Sequence, residues 1–208
     1  MNSPGRALPL WPKIAYGVFV LVLVPVYWNH YGPQNFLWFS DIGLLGLAIA
    51  MWLESRLLAS MTALAVIVPE IAWNVDFFFE LFSGRSLINL ADYMFDPQIP
   101  LGVRLLSLAM PITLAWVLYR LGYDSRALIG QTILAWIVFP LTWVLTTPEQ
   151  NINWVWGFGG RTQQWMAPVV WVGLLMVGFP LLVYLPPHVL FRRIFRRPHS
   201  GVERHPGG

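Results

Sequence analysis

The residues able to do chemistry in this chain collect in PEIAWNVDFFFELFSGRSLINLADYMFDPQIP, residues 69–100. Glu70, Asn74 and Asp76 fall inside an apolar run long enough to cross a bilayer, where hydrocarbon offers a carboxylate no partner. Ionisable groups at such depth are rare, and they mark ligand or proton sites or pair with neighbouring helices. There a carboxylate can carry a proton, hold a cationic ligand or serve as acid or base toward a bound substrate. On this basis Glu70, Asp41 and His30 are the candidate catalytic residues, and Asn74, Asp76, Trp73, Asn35 and Arg104 the candidate ligand-binding ones. Spacings of three and four place Glu70, Trp73, Asn74 and Phe77 on one helical face, while Asp76 and Glu80 form a second pair on another. The competing structural role for Glu70 and Asn74 is a hydrogen-bonded clamp between helices. For Asp41 it is an ion pair with Arg104, or capping of backbone at a break in its helix.

Other constellations carry less. Asp92 and Asp96 lie four residues apart, so they could share a divalent cation, Ca²⁺ or Mg²⁺, with loop carbonyls. The same spacing suits the solvated face of an interfacial helix, which is the stronger expectation. A zinc site would have only His30 and carboxylates to draw on near that cluster. The chain has no cysteine, which excludes thiolate metal sites and a cysteine nucleophile. Ser40, Ser83, Thr142 and Thr146 stand in no G-x-S-x-G context, and the glycines of GFGG, residues 157–160, are not followed by the Lys-Ser/Thr of a phosphate loop.

The elements that must position these groups follow from composition. Of the 208 residues, 57% are hydrophobic and 11% charged, with a mean hydropathy of +0.59. A soluble domain would carry about 25% charged residues. Successive apolar runs of about 20 residues predict an all-α polytopic membrane protein. Six transmembrane helices are expected, over residues 13–28, 36–55, 57–82, 101–121, 126–146 and 166–184, the first retained rather than cleaved as a signal peptide. Between the third and fourth, residues 86–96 place Leu87, Leu90, Ala91 and Met94 on one face and Asn89, Asp92 and Asp96 on the other, the spacing of a short amphipathic interfacial helix. Pro186 and Pro187 end the last span, so residues 1–190 form one transmembrane domain and 191–208 a basic, partly disordered tail.

Most of the thirteen Lys and Arg fall on the side that would hold both termini, including Arg6, Lys13, Arg56, Arg120, Arg126 and the Arg cluster of FRRIFRR. Arg85, Arg104 and Arg161 lie on the other side, so both termini are expected to be cytoplasmic. Helix rise puts Asp41 ~9 Å and Glu70 ~18 Å below the outer ends of their spans. His30, Asn35, Asp92, Asp96, Glu149, Asn151 and Asn153 emerge at that same end, which therefore should hold an acidic pocket rimmed by Trp28, Trp38, Trp73, Trp154 and Trp156. No basic stripe interleaved with stacking aromatics occurs outside the spans, which argues against nucleic acid as a partner.

The segments HYGPQNFLWFSDIGLL, WNVDFFFEL, SLINLADYMFDPQIP and PEQNINWVWG resemble those of a group of uncharacterised bacterial integral membrane proteins, over about residues 10–190. The resemblance implies a bacterial inner-membrane location and no particular activity. Compared with the six-span hydrolases of the alkaline-ceramidase type, the chain lacks their several metal-binding histidines. The sequence therefore predicts an outward-facing acidic and aromatic pocket for a lipid-like or cationic small molecule, with an enzyme acting on that molecule as one form of it. A proton-coupled transporter and an accessory subunit of a larger membrane complex are the alternatives. Expected partners are membrane lipids, with a homodimer or larger complex as further possibilities.

Overall fold

The computed structural model describes residues 7–105, 109–158 and 162–195. Among them every regular element is helical: α1 (Leu10–Tyr31), α2 (Phe39–Trp52), α3 (Arg56–Ser83), α4 (Leu101–Leu105), α5 (Ala109–Leu121), α6 (Ala127–Leu145), α7 (Pro168–Gly178) and α8 (Leu185–Ile194). A π-helical turn, Phe179–Tyr184, joins α7 to α8, and short 3₁₀ turns cover Pro33–Leu37, Asp92–Met94 and Ile152–Trp154.

Four helical stretches are long and apolar enough to cross a membrane: Leu10–Tyr31, Arg56–Ser83, Ala127–Leu145 and Pro168–Ile194. Two further apolar helices, Phe39–Trp52 and Met110–Leu121, are shorter than a bilayer core needs at 1.5 Å per residue. The outside of the bundle is hydrophobic: Leu21, Ile112, Ile133 and Leu182 are each more than half exposed. Such a surface suits lipid as its surroundings, because apolar side chains gain nothing by facing water.

The chain runs up and down, and α3 is its axis, packed against α2, α5, α6 and α8. Ser55 caps the start of α3 by accepting a hydrogen bond from the Leu58 N–H, and Gly84 ends it in the left-handed conformation at φ 69°. Only a residue without a Cβ takes that conformation at little cost. The inward face of α3 is small, with Ala59 and Ala63 fully buried. Small residues let helices approach closely where no hydrophobic drive separates lipid from protein contacts. The same logic holds on α2, where a Cβ on Gly43 would stand 2.8 Å from Val66 Cγ1. Two buried clusters result: one joins α1, α2, α3 and α5, and the other joins α3, α6, α7 and the π turn.

Two expectations are corrected. Residues 86–96 do not form an amphipathic helix. They make an irregular strap, with one 3₁₀ turn at Asp92–Met94, that curls around the carboxylate of Asp76. In a helix over 86–96 the Leu90 and Ala91 N–H groups would be spent on carbonyls four residues back, so bringing them to the carboxylate beside those of Leu87 and Ile88 takes a non-helical nest. Nor does the last span end at Pro186–Pro187. The wider π turn before them, with Leu185 N–H bonded to Pro180 O, lets helix resume through both prolines to Ile194. Prolines are tolerated there as the first residues of α8, where an N–H is not needed. Arg192 and Arg193 thus belong to an exposed helical end, while Arg6, Arg161, Arg196, Arg197, Arg204 and the rest of the tail lie outside the described residues.

Candidate functional site

A cavity of about 520 Å³ opens at the end of the bundle that holds the Pro33–Leu37 turn, the strap and the loop after α6. It lies where the two buried clusters meet, with Tyr27, Leu44, Val66 and Met110 from one and Phe39 and Phe179 from the other. Exposed Asn89, Glu149 and Gln150 stand at its mouth. Eight aromatic residues line it: Tyr27, Tyr31, Trp38, Phe39, Trp73, Tyr93, Trp154 and Phe179. Its acidic groups are Asp41, Glu70 and Glu149, and no Lys, Arg or His among the described residues lines it.

The packing of α2 on α3 sets the two deep carboxyls at one level. Gly43 touches Val66 across the antiparallel interface. Asp41 lies two residues from Gly43 and Glu70 four from Val66, so both rise ~3–6 Å from that contact toward the same end. Asp41 is 7% exposed and accepts a hydrogen bond from Asn35 Nδ2 through Oδ2, at 3.0 Å. It forms no ion pair with Arg104, whose Nη1 instead donates to the Met94 carbonyl. Asn74 donates to the main-chain carbonyl of Glu70 at 2.7 Å, so its bond is within α3 rather than between helices. At the mouth, Glu149 is held below the usual carboxylate range, first by a hydrogen bond with the Thr147 side chain and then by backbone, and it stays charged.

Asp76 is fully buried and belongs to the wall, not to the lumen. Its Oδ1 accepts from the N–H groups of Leu87 and Ile88 at 2.8 and 2.9 Å, and its Oδ2 from Leu90 and Ala91 at 2.7 and 2.9 Å. The Ser86 hydroxyl adds a longer bond. These charge-assisted bonds fix the strap that brings Asn89, Leu90 and Tyr93 to the cavity. The rings of Phe77 and Phe95 stack at 5.5 Å, and Arg104 holds the Met94 carbonyl, so the strap is fastened at three places.

The loop after α6 is fastened by Asn153. Its Oδ1 accepts from Phe39 N–H at 3.0 Å and its Nδ2 donates to Leu37 O at 2.7 Å, tying this loop to the start of α2. Asn151 does the same within the loop, between Trp156 N–H and Gly157 O. Five described non-glycine residues have positive φ: Glu54, Asn89, Asn151, Asn153 and Trp154. The last four line the cavity. Left-handed backbone is costly for a residue as bulky as tryptophan, and such strain persists where the surroundings impose it, commonly at binding sites.

The cavity therefore gathers Asp41, Glu70, Trp73 and Asn35 of the residues singled out from sequence, and leaves Asn74, Asp76, Arg104 and His30 out of its lining. His30 is exposed at the end of α1, with its ring against Tyr31. Of the expected tryptophan rim, Trp38, Trp73 and Trp154 are present, while Trp28 and Trp156 are elsewhere. Asp92 is exposed, and Asp96 accepts from the Gln98 N–H through Oδ1. No group of three or more His, Asp or Glu that could hold a metal ion occurs among the described residues. Sequence reasoning misses Tyr27, Tyr31, Phe39, Tyr93 and Phe179 as lining residues. Tyr27, Phe39 and Phe179 come from apolar runs with no polar marker of the inward face, and Tyr31 and Tyr93 from polar connections whose course hydropathy does not specify.

The opposite end of the bundle carries ordinary charge pairing. Lys13 on α1 bonds Glu54 in the turn between α2 and α3, which lowers the Glu54 pKa. Asp124, in the turn before α6, receives Arg126 Nη2 at 2.8 Å and Nε at 3.1 Å, with Arg56 at 3.9 Å. The Arg126 hydrogen bonds hold the Asp124 carboxyl below its usual range. The chain matches no protein-family model, no curated protein and no solved structure.

Proposed function

We propose that this is a multi-pass membrane protein that binds a lipid-like or cationic small molecule in the cavity between α1, α2, α3 and the two loops above them. The observation that carries the reading is the pairing of buried Asp41 with Glu70 at one level of an aromatic-walled cavity of about 520 Å³. A space of that size suits a small ligand or one amphipathic head with part of its tail. Aromatic faces favour both apolar chains and cations.

In this reading the two shorter helices α2 and α5 complete six spans, α5 together with the α4 segment. The protein sits in a bacterial inner membrane with the cavity facing outward. The basic end, with Lys13, Arg56, Arg126 and Arg192, faces the cytoplasm, as the excess of Lys and Arg there favours. Membrane lipids are the surrounding partners. Asp41 and Glu70 are the groups available for acid-base chemistry on the ligand. No nucleophile-base pair of the Ser-His kind lines the cavity among the described residues, which makes binding the primary role.

The test is to purify the full chain from membranes and release what accompanies it for mass spectrometry, beside the variant Ala65→Phe. Ala65 is buried in the cavity wall, so the larger ring fills the lumen. A defined amphiphile retained by the parent protein and lost from a folded Ala65→Phe variant supports the reading. Equal amounts in both would refute it.

A further inference from the structure

We infer that the basic end of the bundle holds a site for the phosphate of an anionic phospholipid, formed by Arg56 and Arg126 and continued as a path for an acyl chain along α6. The inference rests on reading the chain as a membrane protein and is independent of the cavity at the other end.

The turn before α6 presents the two guanidiniums together. Asp124 is buried there, its N–H donates to Ser60 Oγ at 2.9 Å, and the Ser60 hydroxyl donates to the Arg56 carbonyl at 2.7 Å. These bonds hold the starts of α3 and α6 at one level. Just inside them Met61 packs on Gly130, where a Cβ would stand 2.8 Å from the methionine sulfur. The Asp124 carboxylate takes Arg126 side-on through Nε and Nη2, and it has Arg56 Nε at 3.9 Å. A guanidinium carries five N–H donors in a fixed fork, so one gripped by its Nε edge still offers its Nη1 pair to another anion. The side chain of Arg126 is mostly exposed and that of Arg56 half exposed, which leaves both open to a partner from outside.

One carboxylate does not neutralise this end. Arg192, exposed on α8, is near enough for its charge to act on Tyr123 and His188, and Tyr123 directly precedes Asp124. Glu54, the other acidic residue at this end among those described, is engaged by Lys13. What remains is a positive surplus with a buried anchor and a planar fork, the form that matches a phosphate bearing negative charge. The surface beside it supplies the rest of a lipid site. Arg126, Ile129, Ile133 and Ile137 follow at spacings of three and four, so they share one face of α6, and all four are exposed. From Arg126 to Ile137 the helix rises ~16 Å, about the hydrocarbon depth of one leaflet. A lipid whose phosphate meets Arg126 therefore has its chain laid along that stripe, which a free phosphate would leave unused.

The experiment titrates the full chain in neutral detergent micelles with dioleoyl phosphatidylglycerol, phosphatidylcholine or diacylglycerol and counts bound lipid by native mass spectrometry. Phosphatidylglycerol should bind about fivefold tighter than phosphatidylcholine, whose choline cation offsets its phosphate, and diacylglycerol weakest of the three. Arg56→Gln leaves the Arg126–Asp124 pair in place and should weaken phosphatidylglycerol by about fivefold. Arg126→Lys keeps the charge and loses the fork, so it should also bind more weakly than the parent protein; should that variant fail to fold, Arg56→Gln still decides. Arg193→Gln removes the same charge from the exposed end of α8, outside the site, and should lose clearly less than Arg56→Gln. Equal binding of phosphatidylglycerol and phosphatidylcholine overturns the inference. So do equal losses in Arg56→Gln and Arg193→Gln, which would reduce the site to diffuse charge, and a folded Arg126→Lys that binds like the parent. Displacement of phosphatidylglycerol by inorganic phosphate or by chainless glycerophosphoglycerol would make this a free-phosphate site and overturn the lipid as its occupant. Recovery of the chain in the soluble fraction without detergent would instead refute the membrane reading itself.

Discussion

Replacing Asp76 by alanine should release the strap without dissolving the bundle. Four backbone N–H groups and the Ser86 hydroxyl converge on this one carboxylate. Leu87 and Ile88 are exposed, so their amides can turn to water once the anion is gone. Leu90 is half-buried and Ala91 is fully buried, so those two amides lose their partner with little replacement. At ~1–3 kcal/mol for each buried donor left unsatisfied, the strap should lose roughly 2–6 kcal/mol of local stability. Hydrogen exchange of the protein in nanodiscs reads this directly, because the amides of residues 87–91 report strap opening. Their exchange should accelerate by roughly thirtyfold to ten-thousandfold, at 1.4 kcal/mol per factor of ten, while amides of α3 near Ala59 and Ala63 stay as protected as before. Asp76→Asn should fall between, since its amide keeps one acceptor oxygen but points N–H groups at donors. Protection at residues 87–91 that stays within about threefold of the parent protein would refute the nest as the strap's fastening, because charge-assisted bonds to a buried carboxylate contribute more than so small a change allows.

The other fastenings give two further expectations. Asn153→Ala orphans the buried Phe39 N–H and the Leu37 carbonyl and puts alanine at φ 52°, so unfolding in detergent should show a loss of roughly 2–4 kcal/mol; a loss under about 0.5 kcal/mol would mean the loop is held by other contacts. Asp124 has a lowered pKa in the folded chain, so it contributes stability fully above its unfolded value of about 3.9, and that contribution disappears as pH falls through the lower folded value. Asp124→Asn should therefore be less stable than the parent near neutrality and converge with it in strong acid, as thermal melts across that range would show.

How far the sequence reveals this molecule depends on the kind of signal. Hydropathy alone locates the helices to within a few residues, because runs such as 57–82 are continuous and end in Ser-Gly or charged turns. It fails at residues 86–96, where a spacing of three and four is satisfied equally by a helix and by a strap that buries Ala91 and Met94 and leaves Leu87 and Ile88 exposed. The deciding group, Asp76, lies ten residues earlier. Hydropathy also fails at Pro186–Pro187, since a π turn that accommodates prolines leaves no compositional trace. The cavity is partly legible. Asp41, Glu70, Trp73 and Asn35 stand out because polarity at depth is conspicuous, and depth is simple arithmetic on helix rise. Phe179 and Tyr27 do not stand out, because a helix apolar on every side conceals which face looks inward. Of the two structural roles open to Asp41 in sequence, the ion pair with Arg104 is not the one formed: packing delivers Arg104 to the Met94 carbonyl.

If Asp41 and Glu70 border a water-reachable hollow rather than lipid, cysteine labelling will show it, and the absence of native cysteine leaves no background reaction. Leu44, buried in the cavity wall one turn below Asp41, and Ile49, exposed on the outer surface of α2, are each replaced by cysteine and treated in intact membranes with a membrane-impermeant maleimide. A hollow open to the outer side gives labelling of Leu44→Cys from that side and none of Ile49→Cys, which the account predicts to face hydrocarbon. Labelling of Ile49→Cys with no reaction at Leu44→Cys would contradict it.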